Sequence, residues 1–359
     1  MIQSTISIYS VTSKGAISLV AANLPYSCLQ WNRRFSTCGD FAAELIGPFP
    51  VAWPGRYLLT RSDRPEVGVV EKVEARDGAG GVECSVSGRF AESLLDRRQF
   101  GPAGGEEKGG NWRQAVSAAV ASWMMPDAPE VRAGAGTEAR SGSSYAVRAD
   151  KSESAMEAVY GVTAANGAYP ALALDWAAGA LVLSIMTGVD RTRAQSARPV
   201  MVFSLEMATA AAASYCGDFS VGCSSVVAYA EPQGGPAVSA TVAVPGFDAE
   251  TMWMSEVSED VSSLCSQAPT EAEAERAGGL RAYDHRPAVD IDMDALGAGY
   301  AEMWDLGDLC EACVPSAGVT AAARIEEVRE VVKKEGATLE VVLGTKKISK
   351  TARAMMRLR

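Results

Sequence analysis

The chain has 359 residues, 48% hydrophobic and 21% charged, a balance that supports packed cores in two to four domains or subdomains and excludes wholesale disorder. Its 44 acidic against 33 basic residues give a net charge of −11, which excludes the chain-wide basic footprint that phosphate binding needs. The opening MIQSTISIYSV has neither a basic segment nor a long apolar run, so the expectation is a chain without a secretory signal, folded in the cytoplasm with its eight cysteines reduced.

Ile2, Ile6 and Ile8 alternate with Gln3, Thr5 and Ser7, the period of a half-buried strand. Further strand-like runs at 17–21, 28–35, 41–45, 57–60, 67–73 and 82–86 are separated by glycine, proline and aspartate, so residues 1–100 read as one antiparallel β-domain. Two segments in it mix arginine with aromatic residues: 29–41 (LQWNRRFSTCGDF) and 88–100 (GRFAESLLDRRQF). Trp31, Arg33, Arg34, Arg97 and Arg98 could pass for a nucleic-acid patch. Asp40, Glu44, Glu92 and Asp96 lie beside them, however, and arginine favours bidentate carboxylate contacts. Ion pairs inside the fold and a subunit interface both remain open, since arginine and aromatics are also enriched at interfaces.

Residues 90–98 read as a short helix and 101–110 (GPAGGEEKGG) as a flexible connector. Asn111, with Gln114 three residues on, caps a second helix whose apolar stripe is Trp112, Val116, Ala119 and Trp123, and Pro126 stops it. A loop over 130–144 and a helix over 154–166 follow. Residues 168–186 imitate a membrane span in length and apolarity, but Pro170, Asp175 and Gly179 interrupt them, and the halves 171–176 and 181–186 fit a buried hairpin.

Strand-like runs return at 200–206, 221–230 and 237–244. The acidic, serine-rich segment 256–266 reads as exposed, 270–283 as helical, and 308–314, 319–329 and 338–343 as strands with a turn at 333–336. The last fourteen residues contain six basic residues, among them Lys346, Lys347, Lys350 and Arg353, and no acidic one. They read as a solvated tail or as a basic peg for an acidic partner surface.

There is no GxSxG, phosphate loop, HExxH or dinucleotide fingerprint, and His285 is the sole histidine, in the polar run YDHRP. No catalytic, cofactor-binding or metal-binding residue is expected. Cys310 and Cys313 form a lone C-x-x-C, and on a strand their odd separation puts the sulfurs on opposite faces. Asp290, Asp292 and Asp294 would share one strand face; an EF-hand needs glycine where Ala295 stands and glutamate where Ala301 stands, so a solvated acidic face is the reading.

Taken in order, LQWNRRFSTCGDF, then VGVVEKVEARDGAGGVECSVSGRFAESLLDRRQF, then GVDRT at 188–192, then the stretch from Trp304 to Gly344 beginning WDLGDLCEACVPSAG, resemble the baseplate hub, or tail-associated hub, family of long-tailed phages and phage-tail-like particles. The resemblance implies a mainly β protein with α+β insertions: two tube-like antiparallel β-barrel domains plus peripheral α/β domains. It places the first barrel at 1–105, a peripheral α+β domain at 110–194, the second barrel at 195–245 joined with 300–347, an inserted domain at 246–299 and a basic tail at 348–359. It further implies a homotrimer forming a pseudo-sixfold ring in the virion tail, assembled in the host cytoplasm. The implied partners are the distal tail protein, the tape-measure protein and tail-tip or receptor-binding proteins, with DNA at most transiting the lumen and no membrane. On that resemblance Trp31, Arg33, Arg34, Arg97, Arg98, Lys346, Lys347, Lys350 and Arg353 are interface candidates. A receptor- or glycan-binding tip protein is the alternative, and a small tail hydrolase a distant third.

Overall fold

Alternating runs become strands wherever a paired neighbour can cover one face and a turn residue can end them. The computed structural model describes residues 4–344 except 79–80, 101–103, 125–130, 134–144, 150–152, 219, 221, 232–234 and 298. The N-terminal region gives β1 (Ile6–Val11), β2 (Ile17–Leu24), β3 (Tyr26–Arg34), β4 (Asp40–Ile46), β5 (Tyr57–Arg61), β6 (Arg64–Gly78) and β7 (Gly81–Phe90), with a 3₁₀ segment over Ala91–Arg97. All seven are antiparallel, as the alternation predicts.

The middle holds β8 (Gly105–Gly109), α1 (Trp112–Trp123), β9 (Val131–Ala133), β10 (Tyr145–Ala149), α2 (Ala155–Ala165), β11 (Ala168–Asp175) and β12 (Ala180–Thr187). The Asn111 side chain accepts from the Gln114 N–H, and Ser154 with Glu157 forms a reciprocal capping box on α2, so both helices start where the caps place them. The segment that imitates a membrane span is the β11–β12 hairpin, with Leu172, Leu181 and Leu183 buried and Asp175 Oδ1 accepting from the N–H groups of Ala177 and Ala178. No described helix is long and apolar enough to cross a membrane. Two loop expectations change: the glycine-rich connector supplies β8, which pairs with β10, and the 130–144 stretch begins with β9, parallel to β12. In both places pairing with a distant strand overrides a turn-like composition. Pro126 lies outside the described residues.

The C-terminal region contains β13 (Val202–Phe203), β14 (Ala210–Asp218), β15 (Ser225–Ala230), β16 (Val238–Ala243), β17 (Glu256–Asp260), α3 (Glu271–Asp284), β18 (Ala288–Ala295), β19 (Leu309–Val314), β20 (Val319–Lys333) and β21 (Gly336–Gly344). The 200–206 run shortens to the two residues of β13. The 256–266 segment is not simply exposed: β17 joins β15 and β16 in a separate three-stranded sheet under α3, and Val261 is fully buried. Sheet membership thus departs from the division implied above: β15 and β16 leave the second barrel's sheet, and β18 enters the large one.

Among the described residues that large sheet has sixteen strands. One path runs β2-β1-β5-β6-β7-β4-β3-β20-β21-β18-β14, antiparallel at every step. Among the described residues its ladder is open at both ends and closes neither expected barrel. β20 joins the two halves: Val319–Arg324 pairs with β19, and Glu327–Lys333 pairs with β3. Separate apolar clusters fill the N-terminal lobe around Trp31, Phe41 and Phe90 and the C-terminal lobe around Phe203, Ile291 and Trp304.

Candidate functional site

The densest polar chemistry lies along the β3–β20 seam, where the two lobes meet. On β3 the inward positions are Leu29, Trp31 and Arg33, so period-two alternation carries a guanidinium into an apolar face. Trp31 is fully buried between the Phe41 and Phe90 rings, 5.9 and 4.8 Å away between centroids. Arg33, 6% exposed, donates through Nε to Glu66 on β6 at 2.5 Å, and through Nη1 to Asp305 and to the Tyr300 hydroxyl. Burial alone would lower its pKa, but the facing Glu66, with Tyr300 and Asp305, outweighs that and holds the guanidinium firmly charged.

Arg34 points the other way. It bonds Glu327 on β20 at 2.9 Å, Asp40 on β4 and the Cys38 carbonyl at 3.2 Å. Glu327, 1% exposed, also accepts from Arg329 at 3.0 Å, and Arg329 reaches on to Glu340 on β21. The strand period breaks here. The β20–β21 register shifts between Ile325 and Glu327, and Ile325 through Val328 are all buried, so the bulge turns both Glu326 and Glu327 away from solvent. Glu326 accepts from the Ser36 hydroxyl at 2.5 Å; burial pushes its carboxyl up to about 7, only partly opposed by Ser36, Arg286 and Arg324.

Further along β20, Glu330 receives a bidentate pair from Arg61 on β5, at 2.9 and 2.6 Å, and Arg61 also grips Asp63. Arg64 stands 4.2 Å over the Tyr300 ring. Strands β3, β4, β5, β6, β20 and β21 are therefore cross-braced by charge-assisted bonds, the stronger class of hydrogen bond.

A second brace joins two of the segments that carry the family resemblance. In GVDRT, the Val189 N–H and Arg191 Nε donate to the two carboxylate oxygens of Asp308, at 2.8 and 2.5 Å. A Cβ on Gly188 would lie 1.6 Å from the Gly307 carbonyl oxygen, so only glycine permits this approach.

Of the two readings kept open for the arginines, pairing inside the chain is what Arg33 and Arg34 adopt, and Trp31 offers no surface. Arg97 remains half-exposed at 3.6 Å from Glu71, and Arg98 lies over the Phe100 ring. Lys346, Lys347, Lys350 and Arg353 lie outside the described residues. The acidic trio on β18 departs from a uniformly solvated face: Asp290 is 1% exposed, Asp292 half-buried and Asp294 exposed. Cys310 is buried and Cys313 on the opposite face of β19, as their spacing predicts; all eight cysteines are free. His285 ends α3, with Nε2 2.7 Å from Glu259 Oε1. Among the described residues no three His, Cys, Asp or Glu side chains converge to hold a metal ion. A cleft of about 480 Å³ opens between α2, α3 and β20, lined among others by Tyr160, Tyr283, Arg286 and Glu326. Its cations and carboxylates are mixed, and its wall includes the Ser36 hydroxyl bonded to the Glu326 carboxylate.

The family model described as Siphovirus ReqiPepy6 Gp37-like protein matches residues 23–345. Among solved structures the chain is similar to the tail protein from Neisseria meningitidis MC58, at 15% identity over 95% of this chain and 96% of that one, with a TM-score of 0.58. It is similar to the 43 kDa tail protein of prophage MuSo2 from Shewanella oneidensis, at 16% identity over 94% and 98%, with a TM-score of 0.55. It is also similar to prophage tail protein gp18 from Listeria monocytogenes EGD-e, at 10% identity over 99% and 98%, with a TM-score of 0.56. No curated protein matches it. At these identities the likenesses establish a shared fold across nearly the whole chain.

Proposed function

The chain belongs to the Siphovirus ReqiPepy6 Gp37-like family, and from that premise we propose that it is a structural hub at the tip of a phage tail or tail-like particle, without turnover. In this reading three copies form a pseudo-sixfold ring that joins the tail tube and distal tail protein to the tip, with the tape-measure protein and passing DNA in the lumen. The observation that carries it is the charged seam. It ties the two β lobes into one eleven-strand path through ion pairs among six strands, which suits a part that bears load rather than one that opens around a substrate. Native mass spectrometry of the purified chain and of isolated tails tests the proposal: a trimer is expected, and a monomer in both would overturn it.

One observation favours a receptor- or glycan-binding role. Trp253 is 97% exposed beside Met254 at 77%, the kind of bare aromatic that binds sugar faces. If that reading holds, Trp253→Ala abolishes adsorption of assembled particles to cells while tails still form; unchanged adsorption discards it.

A further inference from the structure

We propose that the two open ends of the eleven-strand path, β2 and β14, pair with each other between copies of this chain, each copy's β2 adding to the next copy's β14. The inference rests on the oligomeric hub reading above and names the surface through which the copies join.

An edge strand presents a row of unpaired backbone N–H and C=O groups, and soluble proteins guard such rows with lysine, other charges, proline, bulges or brevity. The other described edges of the same large sheet, β9 and β13, are guarded by brevity, at three and two residues, and the uncharged edge β16 of the three-stranded sheet is six residues long and lies against α3. β2 and β14 are eight and nine residues long, ISLVAANL and AAAASYCGD, and hold no lysine, arginine or proline. Their single charge, Asp218, is the last residue of β14; it is buried and accepts from the N–H and hydroxyl of Ser220. In a chain with more than one charged residue in five, two long edges so bare of charge are poorly protected as free surfaces. Bulges are their remaining guard. These leave Ile17–Leu19 in regular register with β1, and Ala212–Asp218 in regular register with β18.

Burial points the same way. Ser18, Leu19 and Val20 are consecutive and all exposed, so this stretch of β2 is open on both faces, with Leu19 56% and Val20 37% exposed, while Ile17 and Leu24 at its ends pack against the core. On β14 the exposed Ala211 and Ala212 are small enough to let another backbone approach.

The occupant is a second copy because each chain carries both halves of the contact. The two edges terminate one ladder, match in length and share an apolar, small-residue character. A contact between different surfaces of identical subunits is directional, and it closes into a ring when the rotation between copies divides a full turn.

Native mass spectrometry on the full chain tests this with two edge-guarding variants, L19K/V20K and A211K/A212K, each checked for folding by far-UV circular dichroism. The wild-type trimer is expected to be lost in both, leaving folded monomers. An equimolar mixture of the two should yield a heterodimer, because the intact β2 of one variant still meets the intact β14 of the other. Trimers persisting in either variant while the wild type is trimeric would overturn the edge assignment and leave the hub reading standing. Failure of the mixture to dimerise would overturn the head-to-tail pairing. A wild type that is monomeric both as the purified chain and in isolated tails would overturn the pairing and the hub reading together. Should one variant fail to fold, the other decides alone, by loss or retention of its trimer.

Discussion

Arg33 and Asp305 stand 272 residues apart in the chain and form an ion pair across the lobe boundary, with Glu66 on the other side of the same guanidinium. Arg33→Ala strands the buried Glu66 carboxylate and should cost about 3–5 kcal/mol of stability in the isolated chain, read by denaturant unfolding. Replacing Arg33 and Glu66 together by methionine should recover most of that loss. Normal stability of the monomer combined with failed tail assembly would instead return Arg33 to an interface role.

Glu326 gives the fold a pH dependence with a definite sign. Its buried carboxyl titrates at about 7 when folded, against 4.5 as its ordinary value. Between these values the native state binds more protons than the unfolded state, so stability is fully present below about pH 4.5 and falls as pH rises through 7. Glu326→Gln keeps an acceptor for the Ser36 hydroxyl and should raise stability at pH 8 by about 3 kcal/mol, the equivalent of the 2.5-unit shift. Thermal or chemical melts from pH 4 to 8 would show the variant with a flatter profile. A slope of the same sign remains from Glu92, whose fully buried carboxyl is also raised to about 7.

Two glycines should respond in opposite directions to alanine. At Gly188 the added methyl collides with the Gly307 carbonyl, for a loss of about 1–3 kcal/mol by overpacking. At Gly161, inside α2, a Cβ meets nothing within 4 Å, and alanine should add about 0.5–1 kcal/mol through helix propensity. Melting temperatures of the two variants decide both.

The C-x-x-C pair should behave as two unlike thiols. Cys310 is fully buried, and its pKa is pushed up to about 12, chiefly by burial with Asp308 adding to it; Cys313 is half-buried on the opposite face. Alkylation of the native protein followed by peptide mapping should label Cys313 well ahead of Cys310, and zinc should not bind stoichiometrically. Equal labelling, or one tightly held zinc per chain, would contradict this arrangement.

Much of the fold is legible in the sequence because its signals are local. The caps at Asn111 and Ser154, the Asp175 turn and the seven N-terminal strands are written within a few residues of where they act. The seam is only half legible. Carboxylates beside Arg33 and Arg34 promised ion pairs, yet of the carboxylates that bind them only Asp40 lies nearby in sequence; Glu66, Asp305 and Glu327 come from distant elements. The bulge at Glu326 is invisible to a period-two reading, which would have placed Glu326 and Glu327 on opposite faces. The sheet of β15, β16 and β17 was equally hidden, since strand runs do not announce which ladder they will join.

The position of β20 also sets a timetable. Its pairing of Glu327 with Arg34 links residues 293 apart, so a ribosome moving at about 5–20 residues per second completes β3 many seconds before its neighbour exists. Throughout that interval the first lobe waits with one ladder unsatisfied and with Arg33 and Arg34 short of carboxylates. Holding that nascent edge clear of other chains is a task for the cell's chaperones, and for this protein yield should depend more on translation rate and temperature than on the strength of the finished fold.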